Sequence, residues 1–164
     1  MRRFSSCVDD LLRRPEIRRL ALRRAHHFSR NRLQHCLAVA KLSFYTARLI
    51  GADSRTCARA ALLHDWYFEN RGEHRNRVGA NVHHPQIAAD NARGLGEPTA
   101  VIDIIQTHMW PYGGRTPRSV EAWIVWMADN LVWVTDLVAS AAVYLRKKVR
   151  RFLYGSSREQ GYAA

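Results

Sequence analysis

Ala58-Arg59-Ala60-Ala61-Leu62-Leu63-His64-Asp65 is the stretch that decides the fold. An apolar helical run ends in an imidazole and a carboxylate. Side chains placed directly after Ala-Leu-Leu head for the interior, where a charge needs a partner or a metal. Asp129 repeats the pattern at the end of Trp123-Ile124-Val125-Trp126-Met127-Ala128. An unpaired carboxylate among such residues costs several kcal/mol even after relaxation. A dication is a natural solution. Taken singly, each residue has a plainer reading. A His on an apolar face is more often an ordinary core residue, a His-Asp dipeptide is common by chance, and an interior Asp can cap a helix or pair with an Arg. The weight lies on the ordered set: His35, His64-Asp65, His84, His108 and Asp129.

Outward from that stretch the pattern is helical almost throughout. A short helix over 8–14 stops before Pro15, and a very basic one covers 16–27. Asn31 caps a long helix that ends at Gly51, with Leu33, Leu37, Ala40, Phe44, Ala47 and Ile50 as its apolar stripe. Ser54 caps the helix that carries the His-Asp pair. Residues 69–83 are polar, hold Gly72, Gly79 and Asn81, and read as a loop of the kind that carries function. Pro85 suits the first turn of a helix over 86–93. Pro98 opens a helix that reaches His108, and Trp110-Pro111-Tyr112-Gly113-Gly114 is a turn. Ser119 and Glu121 start a strong helix to about Ala139, and a basic amphipathic helix continues to about Tyr154. No stretch alternates as a strand. The predicted class is all-α, one helical bundle with the metal site at its centre. Basic helices over 1–28 precede a domain over 29–139. A basic helix over 140–154 packs on that domain, and a disordered tail follows over 155–164.

The 164 residues suffice for one domain with a real core. The net charge of +12 lies at the two ends. Residues 1–35 carry ten Arg against Asp9, Asp10 and Glu16, and residues 146–164 carry six Arg or Lys against Glu159, leaving ten basic and ten acidic residues elsewhere. Phosphate-bearing partners, nucleic acid included, fit such ends, but a solvated arginine-rich surface is the favoured reading. Cys7, Cys36 and Cys57 are scattered and odd in number, which argues against a disulfide framework and for a reducing compartment, hence a cytoplasmic protein. The N-terminus has no apolar run typical of a signal peptide. Asp129, Asn130 and Asp136 interrupt the most apolar stretch, Ile124 to Leu145, and argue for a buried helix over a membrane span.

The ordered set resembles the HD superfamily of metal-dependent phosphohydrolases over about residues 29–139. Its defining His, His-Asp pair and distal Asp correspond to His35, His64, Asp65 and Asp129. Arg32-Leu33-Gln34-His35, Ala60 to Asp65 and Ala128-Asp129-Asn130 resemble its motifs. His84-Pro85 with Ala88-Ala89-Asp90-Asn91-Ala92 resembles the third motif of binuclear members, and the ligand position before Pro favours His84 over His83. Ile105-Gln106-Thr107-His108-Met109-Trp110-Pro111 resembles a signature of small bacterial HD proteins. The four-residue set alone implies one metal. Adding His84 and His108 implies two, as in symmetrical dinucleoside tetraphosphate hydrolases and HD-GYP phosphodiesterases. The Gly-Tyr-Pro element of the latter is absent, so cyclic dinucleotide cleavage is not favoured.

The resemblance implies an enzyme that cleaves a phosphoester or phosphoanhydride, of a nucleotide by preference, with metal-activated hydroxide. Imidazole and carboxylate ligands suit Fe, Mn, Zn, Co or Ni. With no cysteine in the set, a purely structural zinc is disfavoured. Two ions ~3.5–4 Å apart would share a carboxylate, and the resemblance gives Asp65 that bridging place. His35, His64 and Asp129 complete one ion, His84 and His108 bind the other, and Asp65 and His64 are the candidate catalytic pair. Arg32, Arg75, Arg77 and Arg115 are candidates to hold the phosphate, each weighed against plain solvation, and Lys41 is a weaker one. Asp136, seven residues after Asp129, shares its face and could orient a ligand His. Trp66, Tyr67, Trp110 and Tyr112 either stack on a base or pack the pocket. His26, His27 and His74 fit no motif. Two other readings compete: a mononuclear nucleotidase or di-iron oxygenase of the same superfamily, and a non-catalytic basic module that binds nucleic acid. The oligomeric state is open.

Overall fold

Alanine and cysteine let helices approach closely, and the helix that ends at the His-Asp pair is built from them. This helix, α4 (Ser54–Leu63), has every residue from Cys57 to Leu63 buried. A helix buried on all sides belongs in the middle of a protein. Around it stand α1 (Phe4–Leu12), α3 (Arg32–Ile50), α6 (Thr99–Thr107) and α7 (Val120–Tyr154), with α2 (Pro15–Arg18) and α5 (Arg77–Gly94) completing the order. The computed structural model describes residues 3–22, 30–68, 77–113 and 115–154, with 77–82 and 153–154 as backbone alone. Among the described residues there is no strand, and the all-α prediction holds.

Local chemistry sets the helix ends. Asn31 and Gln34 form a capping box on α3, Asn31 Oδ1 accepting from the Gln34 N–H (2.9 Å) and Gln34 Oε1 from the Asn31 N–H (3.0 Å). Gly51 closes α3 at φ 80°, a left-handed conformation that costs glycine little. The cap of α4 is Asp53, not Ser54. Its Oδ1 accepts from the N–H groups of Arg55 (3.0 Å) and Thr56 (3.3 Å). A carboxylate at that position also meets the positive end of the helix dipole.

Three predicted elements shift. The buried face of α3 runs through Arg32, His35, Cys36, Val39, Ala40, Ser43, Phe44 and Ala47, while Leu33 and Leu37 are only partly buried and Ile50 is exposed. The polar stretch does not run as a loop to residue 83, because α5 begins at Arg77 and carries Pro85 in its interior. Gly79 and Asn81, weak helix formers, hide this start in the sequence. The basic helix predicted over 16–27 is α2 followed by a 3-10 turn, Arg19–Leu22. Residues 23–29, the segment 69–76 and the tail 155–164 lie outside the described residues.

The 35 residues of α7 extend ~50 Å at 1.5 Å per residue. Its core-facing side runs through Val125, Ala128, Val132 and Asp136 and ends there. Residues 141–152, in the stretch predicted to pack on the domain, are exposed. At 100° per residue Arg146, Lys147, Lys148, Arg150 and Arg151 cover one side of this stretch and leave Leu145, Val149 and Phe152 on the other. By length and composition alone Val120–Phe152 could cross a membrane. Its carboxylates Asp129 and Asp136 instead face the histidines described below.

One buried cation fastens the bundle. Arg59 of α4 donates to both carboxylate oxygens of Asp10 (2.7 and 2.8 Å), to the Cys7 carbonyl (2.8 Å) and to both oxygens of Glu97. All five guanidinium N–H groups are thereby used. The network joins α1, α4 and the turn before α6.

Candidate metal centre

Two helices end the same way. His64 follows α4 and His108 follows α6, each as the C-cap residue. Each ring reaches back three residues: His64 Nδ1 to the Ala61 carbonyl and His108 Nδ1 to the Ile105 carbonyl, both at 2.7 Å. A carbonyl only accepts, so Nδ1 carries the proton in both rings and Nε2 is turned inward.

Four imidazoles form a row, with ring centroids 5.4 Å apart from His35 to His64, 4.9 Å from His64 to His108 and 5.0 Å from His108 to His84. Asp129 Oδ1 stands 3.0 Å from His35 Nε2 and 3.5 Å from His64 Nε2. Asp65 lies farther along, its Oδ1 3.3 Å from His84 Nε2 and its Oδ2 3.9 Å from His64 Nε2. Two triads therefore have donor atoms within 4.8 Å of one another: His35, His64 and Asp129, and His64, Asp65 and His108. His84 joins the second, its Nε2 3.0 Å from His108 Nε2. The six residues singled out from the sequence come together. All but Asp129 are buried.

Charge in this basket is unevenly held. Burial raises the carboxyl groups of Asp65 and Asp129, but the surrounding histidines outweigh it and hold both well below the usual range. Burial lowers His64, yet Asp129 and Asp65 outweigh it and lift the ring to about 9. Burial, with His64 and His84 alongside, pushes His108 down to about 3. A neutral His108 with its proton on Nδ1 aims a lone pair at His84 Nε2. Facing donor atoms of this kind need a proton or a cation between them. The donor set, imidazole and carboxylate with no thiolate, fits a first-row transition metal.

The surroundings sort the remaining candidates. Asp136 faces the other ring nitrogen of His35, its Oδ2 3.9 Å from Nδ1, while its Oδ1 pairs with Arg30 Nε at 3.3 Å. It thus stands on the side of His35 away from Asp129. Arg32 is buried, and its Nη1 donates to the Tyr67 carbonyl (2.7 Å) with the guanidinium 4.1 Å above the Tyr67 ring. Tyr67 in turn stacks on His84 at 4.8 Å. Arg32, a candidate for holding phosphate, also holds the segment after Asp65 against the histidine row. Arg115 donates to Gln106 Oε1 (3.0 Å) and lines a groove of about 810 Å³ with Asp53, Asp103, Arg118 and Glu121, a lining that includes none of the six basket residues. Lys41 is exposed. Arg75, His26, His27 and His74 lie outside the described residues, as does the side chain of Arg77. Tyr112 is exposed, whereas Trp110 packs edge-on against Trp123 and Trp126. Arg30 and the Arg59 network are absent from the sequence reading. Their partners are distant in the chain, and no local spacing marks them.

A sequence model of the HD domain matches residues 32–133. Ribonuclease Y of Deinococcus radiodurans is 37% identical over 93 residues, which is 57% of this chain and 15% of that protein. Ribonuclease Y of Oleidesulfovibrio alaskensis is 34% identical over 125 residues, 71% of this chain and 21% of that protein. The chain thus spans about a fifth or less of the curated relatives it matches. Among solved structures, the HD domain of the L. monocytogenes phosphodiesterase PgpH superposes with a TM-score of 0.51 at 16% identity, covering 94% of this chain and 86% of that one. The same domain in complex with cyclic-di-AMP gives 0.52 at 17% identity, with the same coverage. These two likenesses are of fold. The matched span holds all six basket residues, and the chain belongs to the HD domain family.

Proposed function

We propose that this chain is a metal-dependent phosphodiesterase that hydrolyses a phosphodiester between nucleotides. The carrying observation is the position of Asp65, one carboxylate oxygen toward His84 and the other toward His64. A carboxylate so placed suits a bridge between two ions, one with His35, His64 and Asp129, the other with His84 and His108. Divalent transition metals held there would acidify water and neutralise charge on a phosphoryl group. The chain's own part is to fix donors. The Ala61 and Ile105 carbonyls set the tautomers of His64 and His108, Asp136 backs His35, and Arg32 with Tyr67 backs His84. Relatives named ribonuclease and a fold neighbour that binds cyclic-di-AMP share one bond type, the internucleotide phosphodiester. That shared bond favours a diester over the broader class of phosphoesters and anhydrides.

The test is metal analysis of the purified protein, then turnover of RNA oligonucleotides, linear and cyclic dinucleotides, dinucleoside tetraphosphates and mononucleotides with added manganese or iron. About two ions per chain and cleavage of at least one diester are expected. Turnover restricted to mononucleotides would overturn the diester assignment. A metal content near one would overturn the bridge.

A further inference from the structure

The solvent side of α7 is the largest feature that the metal centre leaves unexplained. Met127, Leu131, Val134, Val138, Leu145 and Val149 recur at steps of three, four and seven residues, so they share one face. All six are exposed, Leu131 at 54%, Val138 at 63% and Leu145 at 60%. From Leu131 to Leu145 the only charged residue is Asp136, which is buried on the opposite side. A monomer rarely shows water so continuous an apolar strip. Beyond Asp136 about five helical turns bury no residue among the described ones, a length at which an isolated helix is marginal in water.

We infer that this face is covered by α7 of a second copy of the chain, the two helices packed antiparallel about a twofold axis. Three features favour that occupant. The strip follows the three-four step by which helices interlock. Together with Phe152 on the same side it exposes on the order of 700 Å², close to the ~800 Å² per partner of a standard interface. The cluster Arg146, Lys147, Lys148, Arg150 and Arg151 at one end forbids a parallel pair, which would stack like charges, and is separated from its copy in an antiparallel one. A bilayer fits less well. Asp136, paired with Arg30 and facing His35, fixes the middle of α7 to the domain, which a membrane span would have to break. The same helix presents Asp129 and Asp136 to the histidines, so association would brace the metal centre from behind.

Sedimentation velocity and light scattering of the purified full chain at tens of micromolar should give the mass of two chains. Leu131→Glu with Val138→Glu, or Leu145→Glu alone, should give one chain, with helical circular dichroism unchanged. Leu145 lies beyond the last core-facing residue, so that variant does not touch the fold. A single cysteine at Val138, near the axis, should cross-link to its copy, whereas one at Val149, near the end of the helix, should not. A wild-type monomer, a dimer that survives both glutamate variants, or efficient Val149→Cys self-cross-linking would overturn the proposal. Flotation of a monomer with phosphatidylglycerol vesicles would assign the face to a bilayer and overturn it equally.

Discussion

Two clusters of buried charge share α4, and they meet the cost of burial differently. Around Arg59, one guanidinium is matched by Asp10, Glu97 and a carbonyl until no donor is left over. Around His64, two carboxylates and four imidazoles face one another, and the Arg30 guanidinium meets Asp136 at the margin. The first cluster is closed. The second has acceptors in surplus and draws protons to itself, as the raised His64 shows. A closed cluster holds a fold together, and an open one takes a cation.

The sharpest way to break the contrast is Asp65→Ala. It should abolish retention of the second ion and lower diester turnover on the order of 10³-fold, as loss of a main source of transition-state charge stabilisation does, while chelator-treated protein loses less stability than Arg59→Met does. An unchanged rate would remove the bridge. Arg59→Met should do the converse. It strands Glu97 as a buried lone carboxylate, which costs ~3–5 kcal/mol, read as a lower denaturation midpoint. The Asp10 arm adds less, being more than half exposed. Turnover per folded molecule should hold. Asp136→Asn should lie between the two and cost ~10–100-fold in metal affinity or rate, with little change in stability.

The mildest probe is pH. His64 is raised in the metal-free state, so its contribution to stability is complete below its ordinary value of 6.5 and is lost as pH rises through about 9. His108 is lowered, so its contribution is complete above 6.5 and fades as pH falls toward about 3. Chelator-treated protein should therefore be most stable near pH 6.5. Metal affinity should climb toward pH 9, because an ion must displace the His64 proton. Titrating melting temperature with and without manganese checks both, and a metal-free optimum near pH 9 would refute the assignment.

Much of the site is legible in the sequence because its physics is local. An imidazole or carboxylate at the end of an apolar run announces a buried charge, and His64, Asp65 and Asp129 all stand so. The closed cluster is illegible for the opposite reason, since Arg59 finds Asp10 and Glu97 only after folding. Arg32 shares a helix face with His35, as spacing requires, but no spacing shows that its guanidinium turns to Tyr67. Pro85 reads as a helix start because proline usually is one, and only the tertiary fold carries the helix through it. The apolar strip of α7 is visible as a pattern, yet periodicity cannot say on which side the core lies.

The paired helix endings carry a consequence for any redesign of this domain. The carbonyls of Ala61 and Ile105 are free to orient His64 and His108 because α4 and α6 stop where they do. One further turn on either helix would make that oxygen share itself with a main-chain N–H and would change the backbone from which the ring projects. Helix length is therefore part of how the basket is specified, and an insertion that preserved all six of its residues could still disarm the centre.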